Sequence, residues 1–551
     1  MSKKNNSDFG PISAKRLSDF MKARALKKFS NIPNRMLRRK YKKAGLLFGT
    51  TNVLGVRYYV GKKPDDDGNA CVLGGSGSGK SSCISMHVSE TWGNPIFAID
   101  INRELSDYRL SKPGKRPFKI LNLTDDPVDC AFCFDPFYRI EQSGERNLVA
   151  DARELANSII PIPYSEREPF WKESARLILA ALLIHYYSRG DDFNTAIGKI
   201  QSLPLGAQIA GIVNDETSNE FAKALINQFA EFGDLSDSRM MLAIGTTLSN
   251  AIMTFATEEV VRNALTPMDD CIRWEDLETH DIFIRIDQSR LSQWGNVISM
   301  IVTQLIRALE RRPNKYSANG SKHKPVLMLL DEFPAYGRMD VLANGLATLR
   351  GKNVTIALFA QSVAQFDLIY GANERKVIID NSPYIAILKG NEADSQKYLA
   401  ELIGYKNVAT TSRTKNFDAK TGTFAGYSVN SGKEKEYIIS PAELRKLEDI
   451  VLLTPEGTFR INKLPYYDRK EKRVGILSEI VQYVKGVVVK MIPWIKRVGG
   501  IALCLFLAKK LLGNTSAFSS LNASGNLVSA ESVNLSENVK TAVALSLGDL
   551  L

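Results

Sequence analysis

Short, mainly apolar runs recur along the chain and predict the strands of a parallel sheet. The run at residues 325–330 has no polar alternation, as expected for a parallel strand that is buried on both faces. The runs occupy residues 70–73, 95–100, 118–123, 281–286, 325–330, 354–359 and 383–388. Helices are predicted at residues 82–91 and 293–311. This alternation of apolar strands and helices indicates an α/β fold.

A stretch without strand-like runs interrupts the pattern between residues 141 and 257. Its apolar side chains recur three and four positions apart, as at Trp171, Ala175, Ile178 and Leu182. This spacing is typical of amphipathic helices. We therefore expect an all-α domain at 141–257, inserted into an α/β domain formed by residues 45–140 and 258–468. Residues 406–436 are polar and contain glycine, which predicts a flexible loop.

The excess positive charge is confined to the beginning of the chain. Residues 1–43 contain 14 Lys and Arg against 2 Asp and Glu, whereas the remainder contains 58 of each. A basic N-terminal arm, residues 1–44, would attract nucleic acid or anionic lipid by charge alone. The alternative is a solvated arm that keeps the protein soluble. The arm has no apolar core of the kind found in secretory signals.

The apolar runs near the C-terminal end of the sequence are shorter than a membrane-spanning helix. The longest uncharged apolar window, residues 498–508, has 11 residues, fewer than the roughly 20 that a spanning helix needs. The basic, apolar segment 469–512 therefore predicts a helical extension that lies at a membrane interface or packs on a domain or partner. Residues 513–551 are rich in Ser and Asn and predict a loose tail.

Most of the six cysteines lie in apolar segments, which is typical of proteins from a reducing compartment. Cys130 and Cys133 have C-x-x-C spacing but no second pair. Two packed thiols therefore fit this spacing better than a zinc or redox site does.

A glycine-rich sequence after the first apolar run fits the P-loop pattern. Gly74 and Gly79 bracket four residues before Lys80 and Ser81. Backbone N–H groups of such a loop face phosphate oxygens, Lys80 would reach the β- and γ-phosphates, and the Ser81 hydroxyl would coordinate Mg²⁺. The predicted nucleotide-binding residues are Gly74, Gly75, Ser76, Gly77, Ser78, Gly79, Lys80, Ser81 and Ser82.

The apolar run 325–330 ends in two adjacent acids, Asp331 and Glu332. An acid at such a strand end can hold the Mg²⁺ shell, and a second can orient and deprotonate the attacking water. Adjacent residues point to opposite sides of a strand, which suits Asp331 to the metal and Glu332 to the water. Together with the P-loop, this pair predicts a site that hydrolyses ATP with Mg²⁺.

The residues after the acidic pair resemble the type IV coupling proteins, the ATPases of bacterial conjugation and type IV secretion. The most specific likeness is the order of the acidic motif at 329–337, Leu-Arg-Gly at 349–351, Gln361 to Gln365, and Tyr370-Gly371. The likeness covers roughly residues 45–468. Further matching positions are Asp100, Glu104, 134–136, 170–171, 440–444 and 465–467.

This resemblance implies a RecA-like P-loop NTPase domain with an inserted all-α domain, assembled as a homo-hexamer. It implies a protein that links a relaxase-bound, single-stranded DNA to a type IV secretion channel and drives DNA transfer. By matching position, Gln361 would sense the γ-phosphate, and Arg350 would be an arginine finger on a neighbouring subunit's nucleotide. An ordinary strand-end amide at Gln361 and a surface charge at Arg350 are the alternatives, and Lys352 is a rival finger.

Two features depart from the family pattern. Coupling proteins usually begin with transmembrane helices, so we expect attachment to the cytoplasmic membrane face through the arm, the C-terminal segment or a membrane partner. Asn353 stands where glycine is common, although Asn tolerates left-handed backbone.

Two other functions stay open: an ATP-switched recruitment platform without translocation, and a motor that secretes protein. The intact acidic pair favours turnover, and the basic arm favours DNA.

Overall fold

The computed structural model describes residues 31–468, apart from residues 54–55, 102, 113–115, 129–130, 231–238, 418–421 and 423. All of these lie in the first of two compact units of the chain, Met1–Glu471. Most of the predicted basic arm, the segment 469–512 and the tail 513–551 lie outside the described residues.

The described residues form fifteen strands and sixteen α-helices. The strands are β1 (Leu37–Arg38), β2 (Leu46–Val53), β3 (Val56–Lys62), β4 (Ala70–Gly74), β5 (Ile96–Ile101), β6 (Phe118–Leu123), β7 (Ala131–Phe132), β8 (Asp281–Ile286), β9 (Val326–Leu330), β10 (Val354–Ala360), β11 (Tyr384–Lys389), β12 (Tyr405–Phe417), β13 (Phe424–Tyr437), β14 (Ile450–Thr454) and β15 (Gly457–Ile461). The helices are α1 (Lys80–Cys83), α2 (Val88–Thr91), α3 (Glu104–Ser111), α4 (Tyr138–Ser143), α5 (Leu148–Ile159), α6 (Pro169–Ser188), α7 (Phe193–Ser202), α8 (Leu205–Asn214), α9 (Glu220–Ala230), α10 (Arg239–Thr257), α11 (Glu259–Ala264), α12 (Gly295–Glu310), α13 (Leu342–Thr348), α14 (Val363–Asp380), α15 (Ala393–Ile403) and α16 (Pro441–Arg445).

The centre of the fold is a ten-stranded sheet in the order β15-β14-β11-β4-β10-β9-β5-β8-β6-β7. The eight strands from β11 to β7 are parallel, and β14 and β15 extend the sheet antiparallel. All seven predicted strands are confirmed. Every residue of β9 and β10 is buried, because apolar clusters cover both faces of the sheet. Parallel pairing places the carboxyl ends of β4, β10 and β9 side by side, and we call this side the nucleotide edge.

Helices α4 to α11 lie between β7 and β8, where the sequence predicts an all-α insertion. The 20-residue helix α6 lies at their centre, with a continuous buried run from Ile178 to Tyr186. Among the described residues, one helix, α10, is long and apolar enough by length and composition to cross a membrane. Its Met241, Ile244 and Phe255 are buried in the same core cluster as α6, so α10 acts as a core helix of this fold.

A small antiparallel sheet, in the order β1-β3-β2, precedes the P-loop. Its first strand, β1, lies within the predicted basic arm. There Leu37 pairs with Val60 of β3. Met36 is fully buried and Leu37 nearly so. The end of the arm is therefore part of the folded domain, because its apolar residues are buried beside its cations.

The predicted flexible loop at residues 406–436 is wrong. Strands β12 and β13 pair in antiparallel register from Tyr405 opposite Tyr437 to Phe417 opposite Phe424. They pair with no other described strand. Polar residues occur on both faces of these strands, so the sequence shows no apolar alternation that would have predicted them. We call this two-stranded element the ribbon.

The predicted helix at residues 82–91 is divided into α1 and α2. The backbone is non-helical at Ile84 (φ −127°, ψ −63°), and a short 3₁₀ turn follows. Groups near the end of the domain bind this segment: Tyr466 N–H donates to Ser82 O over 2.8 Å, and His87 Nε2 lies 2.6 Å from Leu464 O. These tertiary hydrogen bonds replace some of those that a continuous helix would make.

The predicted pair of packed thiols is wrong for Cys133, which forms a disulfide with Cys271. Cys130 lies outside the described residues. The two half-cystines meet because Ile272 N–H donates to Cys133 O over 2.7 Å, so their segments run side by side. Residues 138 positions apart in the sequence are thereby joined, which local spacing could not indicate.

Lys62 is fully buried at the end of β3. Its Nζ donates to Thr355 Oγ1 over 2.9 Å and lies 5.8 Å from the centre of the Trp92 ring. Burial lowers the pKa of Lys62 to about 7, while the nearby Asp66 carboxylate opposes the shift.

We therefore predict a pH-dependent stability difference between the wild type and Lys62→Met. Between pH 7 and 10 the unfolded chain keeps a proton on Lys62 that the folded chain releases, so this group favours folding more as pH rises. Denaturant unfolding should show the variant more stable at pH 7, with its advantage shrinking by on the order of 2 kcal/mol at pH 9. A difference that is constant with pH would contradict the prediction.

Candidate nucleotide-binding site

The glycine-rich loop between β4 and α1 has a backbone shape that requires glycine. Gly77 and Gly79 have φ values of +69° and +97°, in the left-handed region that other residues rarely adopt. A Cβ on Gly75 would lie 2.2 Å from Asn391 Nδ2. Asn391 follows β11 and was not predicted as a site residue, because only the fold brings it over the loop.

Polar groups inside the loop are placed to receive phosphate oxygens. The Lys80 Nζ donates to Gly74 O over 2.6 Å, so its side chain bends back across the loop. Burial lowers the pKa of Lys80, and the carboxylates of Glu332 and Asp331 oppose this shift. Ser78 Oγ is buried and has no hydrogen-bond partner among the described residues. Ser81 and Ser82 lie in the first turn of α1.

The acidic pair follows β9 at the nucleotide edge. Burial raises the pKa of Asp331 to about 6, although the Lys80 ammonium opposes the shift. Glu332 has φ +50°, a left-handed conformation that costs a non-glycine residue about 1–3 kcal/mol. Glu332 N–H donates to Asp331 Oδ1 over 3.0 Å. A half-buried carboxylate and the Ser81 hydroxyl are the hard oxygen ligands that suit Mg²⁺, so the residues present fit a nucleotide with its metal.

Gln361 follows β10, which lies between the strand of the P-loop and the strand of the acids. The side chain of Gln365 connects these parts. Its Oε1 accepts from Gln361 N–H over 3.0 Å, and its Nε2 donates to Glu332 Oε1 over 3.2 Å. The sequence pattern alone assigns Gln365 no role. The available signal was the spacing from Ser362, since the two residues form a capping box at the start of α14.

Arg350 and Lys352 lie at the opposite end of β10 from Gln361. The seven residues of β10 span roughly 23 Å at about 3.3 Å per residue. Arg350 is exposed to solvent. The structure therefore brings the P-loop, Asp331, Glu332 and Gln361 together and leaves Arg350 on the far edge of the sheet. Asn353 adopts the left-handed conformation that we expected, with φ +63°.

Other residues of the family pattern stabilise the elements around the site. The Asp100 carboxylate accepts from the N–H groups of Leu105 and Ser106 and so binds the first turn of α3. Gly371 has φ +75°, and a Cβ there would lie 2.8 Å from the Tyr164 ring. Tyr466 binds the backbone of α1, as described above.

A family model described as "Type IV secretory system Conjugative DNA transfer" matches residues 15–491 of this sequence. The chain belongs to this family. Protein VirD4 of Agrobacterium fabrum is 21% identical over 462 residues, which are 79% of this chain and 65% of VirD4. Conjugal transfer protein TraG of Escherichia coli is 25% identical over 391 residues, 64% of this chain and 59% of TraG. The chain thus spans less than two thirds of the length of these relatives.

Solved structures of the plasmid coupling protein TrwB have the same fold. TrwB in complex with the GTP analogue GDPNP superposes with a TM-score of 0.57 at 17% identity, covering 79% of this chain and 96% of TrwB. TrwB in complex with ADP and Mg²⁺ gives a TM-score of 0.54 at 17% identity, with 78% and 90% coverage. The predicted RecA-like P-loop NTPase fold with an inserted all-α domain is confirmed.

The loop geometry yields a prediction for Gly79→Ala. The substitution forces an alanine into the left-handed backbone conformation of Gly79. Binding of a fluorescent ATP analogue with Mg²⁺ should therefore weaken roughly tenfold or more. Gly93→Ala is the matched control, because Gly93 has a similar φ of +74° and open space at its Cβ position but lies outside the loop. Equal affinities of the two variants would contradict a role of the loop in nucleotide binding.

Proposed function

We infer that this protein is an ATP-hydrolysing coupling protein that links a relaxase–DNA complex to a type IV secretion channel and drives DNA transfer. The observation that carries the proposal is the meeting of the P-loop, Asp331, Glu332 and Gln361 at one edge of the sheet, in a chain of the conjugative DNA-transfer family. TrwB, which shares the fold, has been solved with a non-hydrolysable ATP analogue and with ADP and Mg²⁺, which supports the same ligands here.

In this proposal the loop residues Gly74 to Ser82 hold the nucleotide. Loop N–H groups and Lys80 would bind phosphate oxygens, and Lys80 would exchange its bond to Gly74 O for the β- and γ-phosphates. Ser81 and Asp331 would hold Mg²⁺, which supplies positive charge against the phosphate oxygens. A neighbouring cation favours the ionised form of Asp331, whose pKa burial otherwise raises.

Hydrolysis requires a water aligned with the γ-phosphate. Glu332 would accept a proton from this water as the water oxygen bonds to the γ-phosphorus and the bond from that phosphorus to the β–γ bridging oxygen breaks, which releases ADP and phosphate. Gln365 is a positioning residue here, because its amide holds Glu332 Oε1 and ties it to the backbone after β10. Gln361, at the end of β10, would report the presence of the γ-phosphate.

The position of Arg350 supports a ring in which each active site is completed by a neighbouring subunit. Roughly 23 Å of strand separates Arg350 from its own nucleotide edge, so it would act as a finger only on another copy. In a head-to-tail ring, one subunit's far edge meets the next subunit's nucleotide edge. We assign the ring six copies, as the coupling-protein resemblance implies.

The proposed location is the cytoplasmic face of the membrane. Attachment would use the basic arm, the segment 469–512 or a membrane partner, since both segments combine cations with apolar residues. The cargo would be single-stranded DNA bound to its relaxase, and the other partners would be relaxosome and channel proteins.

Mixing two inactive variants tests the shared active site. Arg350→Ala should bind nucleotide and lose at least about 10³-fold in hydrolysis, as arginine fingers do elsewhere, and Glu332→Gln should also be inactive. Co-expressed at equal levels, they should recover about a quarter of the wild-type rate, because half the sites carry Glu332 and half the neighbours carry Arg350.

Lys352→Ala serves as the control for this experiment. If Arg350 is the finger, the Lys352→Ala variant should hydrolyse ATP at a rate close to that of the wild type. Mixed rings without any recovered activity, or an active Arg350→Ala variant, would refute the role of Arg350 in a neighbouring site.

A further inference from the structure

The ribbon of β12 and β13 is a long element of two antiparallel strands. Its thirteen-residue first strand would extend about 44 Å at roughly 3.4 Å per residue. The described side chains Lys406, Thr411, Arg413 and Lys433 are all exposed, and neither strand pairs with the central sheet. Two strands that do not pack on a core are only marginally stable by themselves. Binding of a partner is a function that would explain such an exposed element.

The two faces of the ribbon differ in charge. Residues opposite each other in the register share a face, as do residues two positions apart, so Arg413, Lys433 and Lys435 lie on the same face as Tyr405 and Tyr437. No acidic residue stands among the described positions of this face, and none of the three cations forms an ion pair within the described part of the chain.

The described residues of the opposite face carry one cation and two carboxylates, which is one net negative charge. This face carries Glu434 and an ion pair between Lys406 and Glu436, at 3.3 Å. The ribbon as a whole contains both signs of charge. The two faces differ because the carboxylates all lie on one of them. We call the face with Arg413, Lys433 and Lys435 the cationic face.

The cationic face also presents aromatic rings at its base. Tyr405 and Tyr437 stack with ring centroids 4.7 Å apart, and Tyr405 is 47% exposed. Cations spaced along a strand beside an exposed aromatic ring suit a polymer that carries phosphates and unstacked bases, because every base can stack on an aromatic ring. An acidic protein would use the cations and leave the ring without a function.

The base of the ribbon is anchored at the nucleotide edge. The segment that follows β13 returns to the sheet, where Gly390 N–H donates to Leu444 O over 3.1 Å. Gly390 precedes Asn391, which lies against Gly75 of the phosphate loop. A polymer held on the ribbon would therefore pull on residues that contact the nucleotide loop.

We propose that the cationic face of the ribbon binds single-stranded nucleic acid, with Arg413, Lys433 and Lys435 on backbone phosphates and the Tyr405–Tyr437 stack against a base. The proposal deepens the proposed function, since it identifies an element that would hold the transported strand. It rests on that function only for the identity of the cargo.

The test is binding of a fluorescein-labelled 30-nucleotide oligo-dT to the full-length protein, measured by anisotropy from 50 to 200 mM salt. The triple variant Arg413→Ala/Lys433→Ala/Lys435→Ala should bind at least tenfold more weakly. Its slope of log K against log salt should be shallower by about 2, since each lost single-strand phosphate contact removes about 0.7. The matched control Lys406→Ala/Arg445→Ala/Lys446→Ala removes the same charge from exposed positions off this face and should bind like the wild type.

The aromatic pair separates nucleic acid from a general anion. Tyr405→Ala/Tyr437→Ala should weaken oligo-dT binding severalfold while leaving the salt slope unchanged, and should leave binding of poly-glutamate unaffected. If the aromatic variant binds oligo-dT like the wild type, the surface is one for anions or acidic proteins and the proposal is overturned. Equal losses in the cationic-face and control triples would overturn it as well.

Two measurements separate this inference from the proposed function. Photo-cross-linking of an iodouracil-containing oligonucleotide should label peptides containing Tyr405 or Tyr437, and labelling only elsewhere would overturn the ribbon as the binding element. If the wild type and the ribbon variants bind oligo-dT equally well, the role of the ribbon is refuted while the proposed function stands. A wild type that neither binds DNA nor hydrolyses ATP would refute the proposed function itself.

Discussion

The parallel pairing of β4, β10 and β9 is the constraint on which the rest of the site depends. Because neighbouring parallel strands end at the same edge, the P-loop after β4, Gln361 after β10 and the acids after β9 meet without any local sequence proximity. The same pairing puts Arg350 at the other end of β10, so in the proposed ring each subunit would hold a nucleotide at one edge and serve a neighbour with the other. A single strand thus contributes to two different active sites in the proposed ring.

The acids are linked to the helical insertion through α14. Gln365 holds Glu332 at the start of this helix, and Phe333 packs on Phe366 with ring centroids 4.9 Å apart. Further along, the kink at Gly371 makes room for the Tyr164 ring, and Tyr164 N–H donates to Ile369 O over 3.2 Å. Tyr164 lies in the connection that leads into α6, so a continuous set of packed contacts joins the acids to the insertion.

The sequence indicated the buried half of this structure well and the exposed half poorly. Strands such as 325–330 are apolar on both faces and therefore visible as runs, and the P-loop has a fixed spacing. The ribbon has polar residues on both faces and no apolar alternation, so its sequence is typical of a loop. Gln365, Asn391 and the bond between Cys133 and Cys271 depend on contacts between distant segments, which periodicity does not record. The divided helix after the P-loop depends on tertiary hydrogen bonds from residues 464 and 466.

The most direct test of the central claim is the steady-state ATPase rate of the full-length protein as its concentration increases, with and without single-stranded DNA, beside Lys80→Ala as the inactive reference. A site completed by a neighbour predicts a specific rate that rises cooperatively with concentration and increases again with DNA, while Lys80→Ala stays at background. A measurable wild-type rate that is independent of both concentration and DNA would contradict the account, because each chain would then hydrolyse ATP alone.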